Sequence, residues 1–470
     1  MKIMNKLYEN IVFITRIEYI NTFNVEDNRK NIYGDYNINE ILIDLFKSAN
    51  LDNRNFGSPN WNPLGEIIKP GDCVLIKPNW VSHENKSGNG LDCLVTNALL
   101  LKNIIDFVIR AMPARIVIGD APVQGCDIRA LFKNAGYEEL VEYYKANYPY
   151  IEWKDFRAKR LAKNNQRSID LLDNVRDSII FDLGEESLLE PISKDYKKFR
   201  VTMYNPALMR EVHRPGKHLY SIARDAIEAN VIINLPKLKT HKKAGISAAI
   251  KNFIGVNTDK DYLPHHRKGG SKNGGDCYHG SNIFKSVSEL LLDLSNSCSG
   301  ILTLFFSFGA TVSYFITRAT GEDNNLEGNW YGNDTIWRTC LDINRIIMYG
   351  KPDGTLAEDP QRKILTITDA IICGEGEGPL APSPYPLGII TMSMNPVAAD
   401  YVHAYLMGYD WRKIHIIREG FAKIKYPLTN FGPEDIAINN GNAIKQPWPP
   451  ITWRPFLAPK GWRGHCEKLI

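Results

Sequence analysis

The stretch Ala229–Val256, ANVIINLPKLKTHKKAGISAAIKNFIGV, limits most tightly what this chain can become. Val231–Ile233 is a β-branched apolar run, which predicts a buried strand. Pro236 has no N–H for a sheet ladder, so that strand must end there. Lys237, Lys239 and His241 follow at spacings of two, and an extended backbone aims all three the same way. Lys242 and Lys243 come next, then small residues that permit close approach of a ligand or another backbone. Ile246–Ile254, which holds Lys251 and Asn252, reads as a helix. A strand end, a basic turn and a helix start bring ammonium groups, free N–H groups and a helix dipole together, which makes an anion site. A solvated basic loop before an ordinary helix is the plainer alternative. The position at a strand end, the usual ligand edge of α/β sheets, favours the anion site.

Other polar blocks also end apolar runs. Cys73–Ile76 leads into Lys77-Pro78-Asn79, and after a helix over Ala98–Met112 the run Arg115–Ile118 leads into Gly119-Asp120. Strand, helix and strand at this spacing form a βαβ unit with a right-handed crossover. Ile364–Ile372 contains Asp369 and precedes a glycine turn, Cys373–Pro379, that carries Glu375 and Glu377. Prolines at 379, 382, 384 and 386 forbid the helix that a dinucleotide fingerprint needs. Carboxylates on such a turn suit a hard cation such as Mg²⁺ or a catalytic base, or else form an inert acidic turn. Asp120 is open to two roles, ligand or helix cap. The glycine-rich loop after Leu263 carries His265, His266, Asp276 and His279, so with His241 it supplies candidates for proton transfer or a metal.

These runs predict an α/β fold: a mostly parallel sheet flanked by helices, with added N-terminal, mid-chain and C-terminal decorations. The expected divisions are an N-terminal extension over 1–70, an α/β domain over 71–410 with an insert at about 139–228, and a C-terminal helix and Pro/aromatic-rich arm over 411–470. Parallel strands put their C-terminal ends on one edge, so the polar blocks should meet in one crevice. Lys77, Asn79, Lys237, Lys239, Lys251 and Asn252 are the expected anion binders. His241, His266, Glu375 and Glu377 are the expected proton carriers, and Asp120, Asp369 and Glu375 the expected metal ligands.

Four blocks in order (a strand ending in KPN, a strand ending in GD, NLPKLKTH with a later KN, and DAIICGEGEGP) resemble the signature of the family called domain of unknown function 362. The resemblance runs from about Gly71 to Leu406. It continues through Trp330–Arg345, read as a helix capped by Asp334, and so adds Asn333, Asp334 and Arg338 as site candidates. Intrahelical ion pairing accounts equally for the stripe of Asp334, Arg338 and Asp342. Some members of that family carry an iron–sulfur segment. The eight cysteines here lie 20 or more residues apart with no C-x-x-C, so no local cluster motif exists.

The net charge of +4 argues against nucleic acid or a membrane as partner. The basic excess is local, with nine Lys/Arg against two Asp over Asn234–Lys272, which suits a small anion. Scattered cysteines and a charged N-terminus fit the cytoplasm. Ser295–Thr317 has no charge and is long enough for a bilayer, but its Ser, Thr and Gly content suggests burial against the sheet. The expected function is acid/base chemistry on a phosphorylated or carboxylated small molecule, with a divalent metal such as Mg²⁺ as the cofactor the carboxylates would suit. The alternatives are a redox protein working with an iron–sulfur partner and a non-catalytic anion-binding protein.

Overall fold

A computed structural model describes residues 9–16, 33, 37–162, 165–171, 177–201, 204–298, 300–319, 327–439, 443–444 and 454–468. The sheet strands are β1 (Ile11–Arg16), β2 (Cys73–Lys77), β3 (Arg115–Asp120), β4 (Ile151–Asp155), β5 (Val231–Asn234), β6 (Lys237–His241), β7 (Gly245–Ser247), β8 (Lys363–Glu377), β9 (Ala381–Ser393), β10 (Ala437–Asn439) and β11 (Ala443–Ile444). The main helices are α1 (Ile38–Ser48), α2 (Ala98–Arg110), α3 (Ile283–Ser297), α4 (Ile301–Ala319), α5 (Ile336–Tyr349) and α6 (Pro396–Leu406).

The sheet runs β11-β10-β1-β9-β8-β5-β2-β3-β4, with β6 paired to β8 and β7 to β6. Its centre, β8-β5-β2-β3-β4, is parallel throughout. Val74, Leu75, Ile76, Ile232 and Ile233 are almost wholly buried, as strands covered on both faces require. Two apolar layers result, one on each face of the sheet. This is the predicted α/β architecture. β1 extends the sheet from within the N-terminal stretch, and β4 from within the stretch read as an insert. Further along that insert, Ser178–Asp182, His213–Arg214 and Lys217–Ala223 form a small separate sheet, and Lys159–Ala162 pairs with Asn165–Leu171 in another.

Several elements differ from expectation. The glycine turn is strand: β8 continues through Glu377, paired with β9 from Ile372↔Pro386 to Glu377↔Ala381. Prolines 382, 384 and 386 alternate, so their missing donors all face the side where β1, which pairs only from Ile389 to Ser393, is absent. The helix expected at Ile246–Ile254 is split into β7, a single turn at Ala249–Asn252 and a 3₁₀ turn at Phe253–Val256. Helix α5 starts later than expected, and Asn333, not Asp334, caps it by accepting from the N–H groups of Thr335 and Ile336.

The uncharged segment is not buried against the sheet. It forms most of α4, which packs on α3 as a hairpin with Ile301, Phe305 and Phe308 each about 70–80% exposed. Among the described residues, no helix is long and apolar enough to cross a membrane.

Candidate functional site

The four polar blocks converge as the strand directions require. β6 lies parallel to β8, with Lys237 opposite Asp369 and Lys239 opposite Gly374. Lys242 reaches Glu377 at 2.9 Å. Most of these side chains, however, are occupied with one another. Lys77 Nζ, wholly buried, donates to Asp120 Oδ1 at 2.7 Å and to Asn252 Oδ1 at 3.2 Å. Asp120 also accepts from the backbone N–H groups of Trp80 and Ala121. Asn252 receives Asn79 Nδ2 at 2.9 Å and gives its own amide to Lys77 O and Asn234 Oδ1. Gly255 closes over this network, and a Cβ there would collide with the Asp120 carboxylate. Lys239 donates to Asn79 Oδ1 and Leu94 O.

A second buried unit joins Lys237 to Asp369 at 2.6 Å, with Tyr33 donating to the same carboxylate at 2.7 Å and receiving Lys237 at 2.8 Å. A third holds the C-terminal arm. Glu375 takes both Nη groups of Arg454 and the N–H of Leu457, while Glu377 takes the N–H of Lys460. Burial would raise the Glu377 carboxyl, but the bonds from Lys460 and Lys242 prevail and hold it low. Trp462, buried, donates to Lys242 O and completes the strap. Asp120, Asp369 and Glu375 thus each face their own cation in separate units. Among the described residues no three His, Cys, Asp or Glu side chains are grouped as a metal would need. Arg338 is engaged by Asp334 at 3.0 Å and by Leu188 O, the intrahelical alternative.

The helix N-terminus is also taken: the N–H groups of Ala249 and Ile250 donate to Asp400, which His403 supports at 2.9 Å. What remains is a set of cations in no ion pair among the described residues, although Asp120 acts on Lys251 and Lys260, and Glu327 on Lys243, from beyond contact distance. Among the described residues, Lys251 makes no hydrogen bond or ion pair, and burial lowers its affinity for a proton. Its charge lowers the proton affinity of Lys77, Lys239, His241, Lys243, Lys260 and His265, so it lies among them. Lys260 donates to Ala121 O and is drawn by burial to about 8, and Lys243 donates to Glu327 O.

Two imidazoles border this cluster in opposite tautomers. His241 Nδ1 accepts from the N–H groups of Lys243 and Ala244, so its proton sits on Nε2. His265 Nδ1 lies 2.6 Å from Leu263 O and must donate to it, so its Nε2 is a bare lone pair. Burial, then the neighbouring Lys251 and Lys243, hold both rings neutral well below the usual histidine range. His266 is buried with an unpartnered Nδ1, and burial and then Lys243 push it down too. Asp276 accepts from Arg267 N, Asp334 N and Thr335 Oγ1, which pins the histidine loop to the start of α5. The sequence signal for Lys260 and His265 was the density of basic residues in one loop, which does not say which members lack partners.

A cavity of about 860 Å³ lies at the opposite edge, beside Lys363 at the start of β8 and Met392 at the end of β9. Lys69 is engaged with Gly65 O and Lys363 with Ile67 O, which leaves exposed Arg54 as a single cation there and no comparable charge cluster among the described residues.

The sequence profile described as "Domain of unknown function (DUF362)" matches residues 74–180 and 182–405, a span that includes the clusters above except Tyr33 and the terminal strap. The chain belongs to the DUF362 family. A "Thylakoid-associated protein" of Synechocystis sp. is 24% identical over 192 residues, 41% of each chain. The DUF362 chain described here therefore spans less than half the length of that relative. Among solved structures, a Thermotoga maritima protein aligns over 75% of this chain and 53% of its own, with 11% identity and a TM-score of 0.32. The lactate racemase apoprotein of Thermoanaerobacterium thermosaccharolyticum aligns over 77% and 54%, with 12% identity and a TM-score of 0.28.

Proposed function

We propose that this protein is an enzyme that performs acid/base chemistry on a phosphorylated or carboxylated small molecule at the Lys251 cluster. The observation that carries this reading is the ammonium group of Lys251, set among other cations and bonded to no carboxylate, since Asp120, which acts on it, is already paired to Lys77. Buried like charges repel, and a bound anion is the simplest source of the missing countercharge. Lys251, Lys243 and Lys260 would hold the anion. His265, with its bare Nε2, would take a proton, and His241 would present an N–H to the substrate. A neutral imidazole beside cations suits this work, because a bound anion raises its basicity on arrival. Opposite tautomers favour proton transfer over simple binding, since a pure anion site gains nothing from an exposed lone pair.

In this reading Lys77, Asn79, Lys237, Lys239 and Asn252 are the frame, and Glu375 and Glu377 fasten the strap. The eight cysteines are free thiols, which fits work in the reducing cytoplasm. A thermal-shift screen of phosphorylated and carboxylated metabolites tests the reading. At least one should raise the unfolding temperature of the wild type and none should raise that of Lys251→Ala. Equal responses in both proteins would overturn it.

A further inference from the structure

We propose that the α3–α4 hairpin docks the protein on an anionic membrane surface. Fourteen of the twenty exposed large apolar side chains among the described residues lie in these two helices. The hairpin is built inside out. Between the helices, Ser288 donates to Ala310 O, Ser295 to Thr303 O and Ser313 to Phe284 O, and Gly309 packs against Leu291. Outside stand Ile301, Leu302, Leu304, Phe305, Phe308 and Phe315. Hydroxyls and small residues inside with aliphatic and aromatic groups outside is the arrangement helices adopt where the surroundings are lipid.

The outer face of α4 covers an arc of about 160° at 100° per residue, broader than the seam of a helix pair. It also lacks a charged rim, since no charge occurs between Asp293 and Arg318 in sequence. A third observation is the basic collar where α3 meets the body. α3 is tied to the body through Asp293, which pairs with Arg200 at 2.8 Å and Lys268 at 2.7 Å, and Lys197 and Lys272 are exposed beside that contact. Two copies paired through the hairpin would bring like-charged collars together, whereas anionic headgroups complement them. At 19 residues, α4 would lie in the interface plane with its apolar face among the acyl chains. The whole-chain charge gave no reason to expect a membrane partner; the local composition of the hairpin does.

Flotation of the full chain with phosphatidylcholine vesicles, with and without phosphatidylglycerol, tests this. The protein should float with the anionic vesicles and be released by salt. Phe305→Glu/Phe308→Glu should weaken partitioning by about a hundredfold, the combined effect of two phenyl groups, and keep the wild-type circular dichroism melt. Phe305→Trp supplies a readout independent of folding losses: its emission should shift to the blue on anionic vesicles. Absence of flotation and of the shift would overturn the proposal, as would a concentration-dependent dimer abolished by the double variant without any vesicle binding.

Discussion

Lys77, wholly buried, and Lys251, half-buried, sit a few side chains apart, yet they have opposite surroundings. Lys77 meets Asp120 at 2.7 Å and fills its remaining donor positions from Pro78 O and Asn252 Oδ1. Lys251 makes no ion pair or hydrogen bond among the described residues: cations and neutral imidazoles lie around it, and Asp120, the carboxylate that acts on it, is bonded to Lys77. The first is a brace that joins β2, β3 and the Ala249–Asn252 turn. The second is a charge waiting for a countercharge. The contrast teaches that a buried lysine marks a ligand site only where its partner is missing, and partners are invisible until strands are placed.

The largest effect expected from this comparison is on the brace. Lys77→Ala leaves the Asp120 carboxylate buried and unpaired and should cost about 3–5 kcal/mol in denaturant unfolding. Asp369→Ala should cost as much, through Lys237 and Tyr33. Lys251→Ala should behave oppositely: it removes a half-buried charge with no bonded partner, so the ligand-free protein should match wild type or gain up to about 1 kcal/mol. Loss of several kcal/mol in Lys251→Ala would erase the distinction between the two lysines.

Titration of the histidines by NMR sharpens the same contrast. His265 is held down by burial and then Lys251, so its ring should stay neutral well below pH 6.5 and shift up towards that value in Lys251→Ala. His213 is pushed down to about 3 by burial and then His218, with no contribution from Lys251, and should not move. The sign for stability follows from linkage. An unfolded histidine binds its proton near 6.5 and folded His213 only near 3, so stability is full above pH 6.5 and falls as pH drops from there towards 3. The share due to His213 should be about 1 kcal/mol over the first pH unit, and His213→Gln should reduce the total loss by that amount while the other depressed histidines keep theirs. The smallest expected effect is at the strap. Glu375→Gln breaks an ion pair whose arginine is 59% exposed, so stability should fall by less than about 1 kcal/mol. Proteolysis near Arg454 should quicken while anion binding is unchanged. Loss of anion binding there would return Glu375 to the site.

Much of the scaffold was legible in the sequence because apolar runs ended by Pro, Gly or charge have few other fates. Val231–Ile233, Cys73–Ile76 and Arg115–Ile118 became adjacent parallel strands, and their polar ends met. The division of labour at the site was not legible. Lys237, Lys239 and Lys251 look alike in a list of residues, and only the register of β6 on β8 gives Asp369 to Lys237 and leaves Lys251 without one. The glycine turn was misread because alternating prolines signal a helix break as readily as a strand with one unpaired side. The hairpin was misread because low charge suggests burial, and nothing local shows whether a covering layer exists.

The comparison comes down to unfolding midpoints of wild type, Lys77→Ala and Lys251→Ala, each measured with and without inorganic pyrophosphate. Without the anion, Lys77→Ala should fall well below wild type and Lys251→Ala should match or exceed it. With the anion, wild type should rise and Lys251→Ala should not respond. A Lys251→Ala protein that unfolds as early as Lys77→Ala and still responds to pyrophosphate would contradict the account.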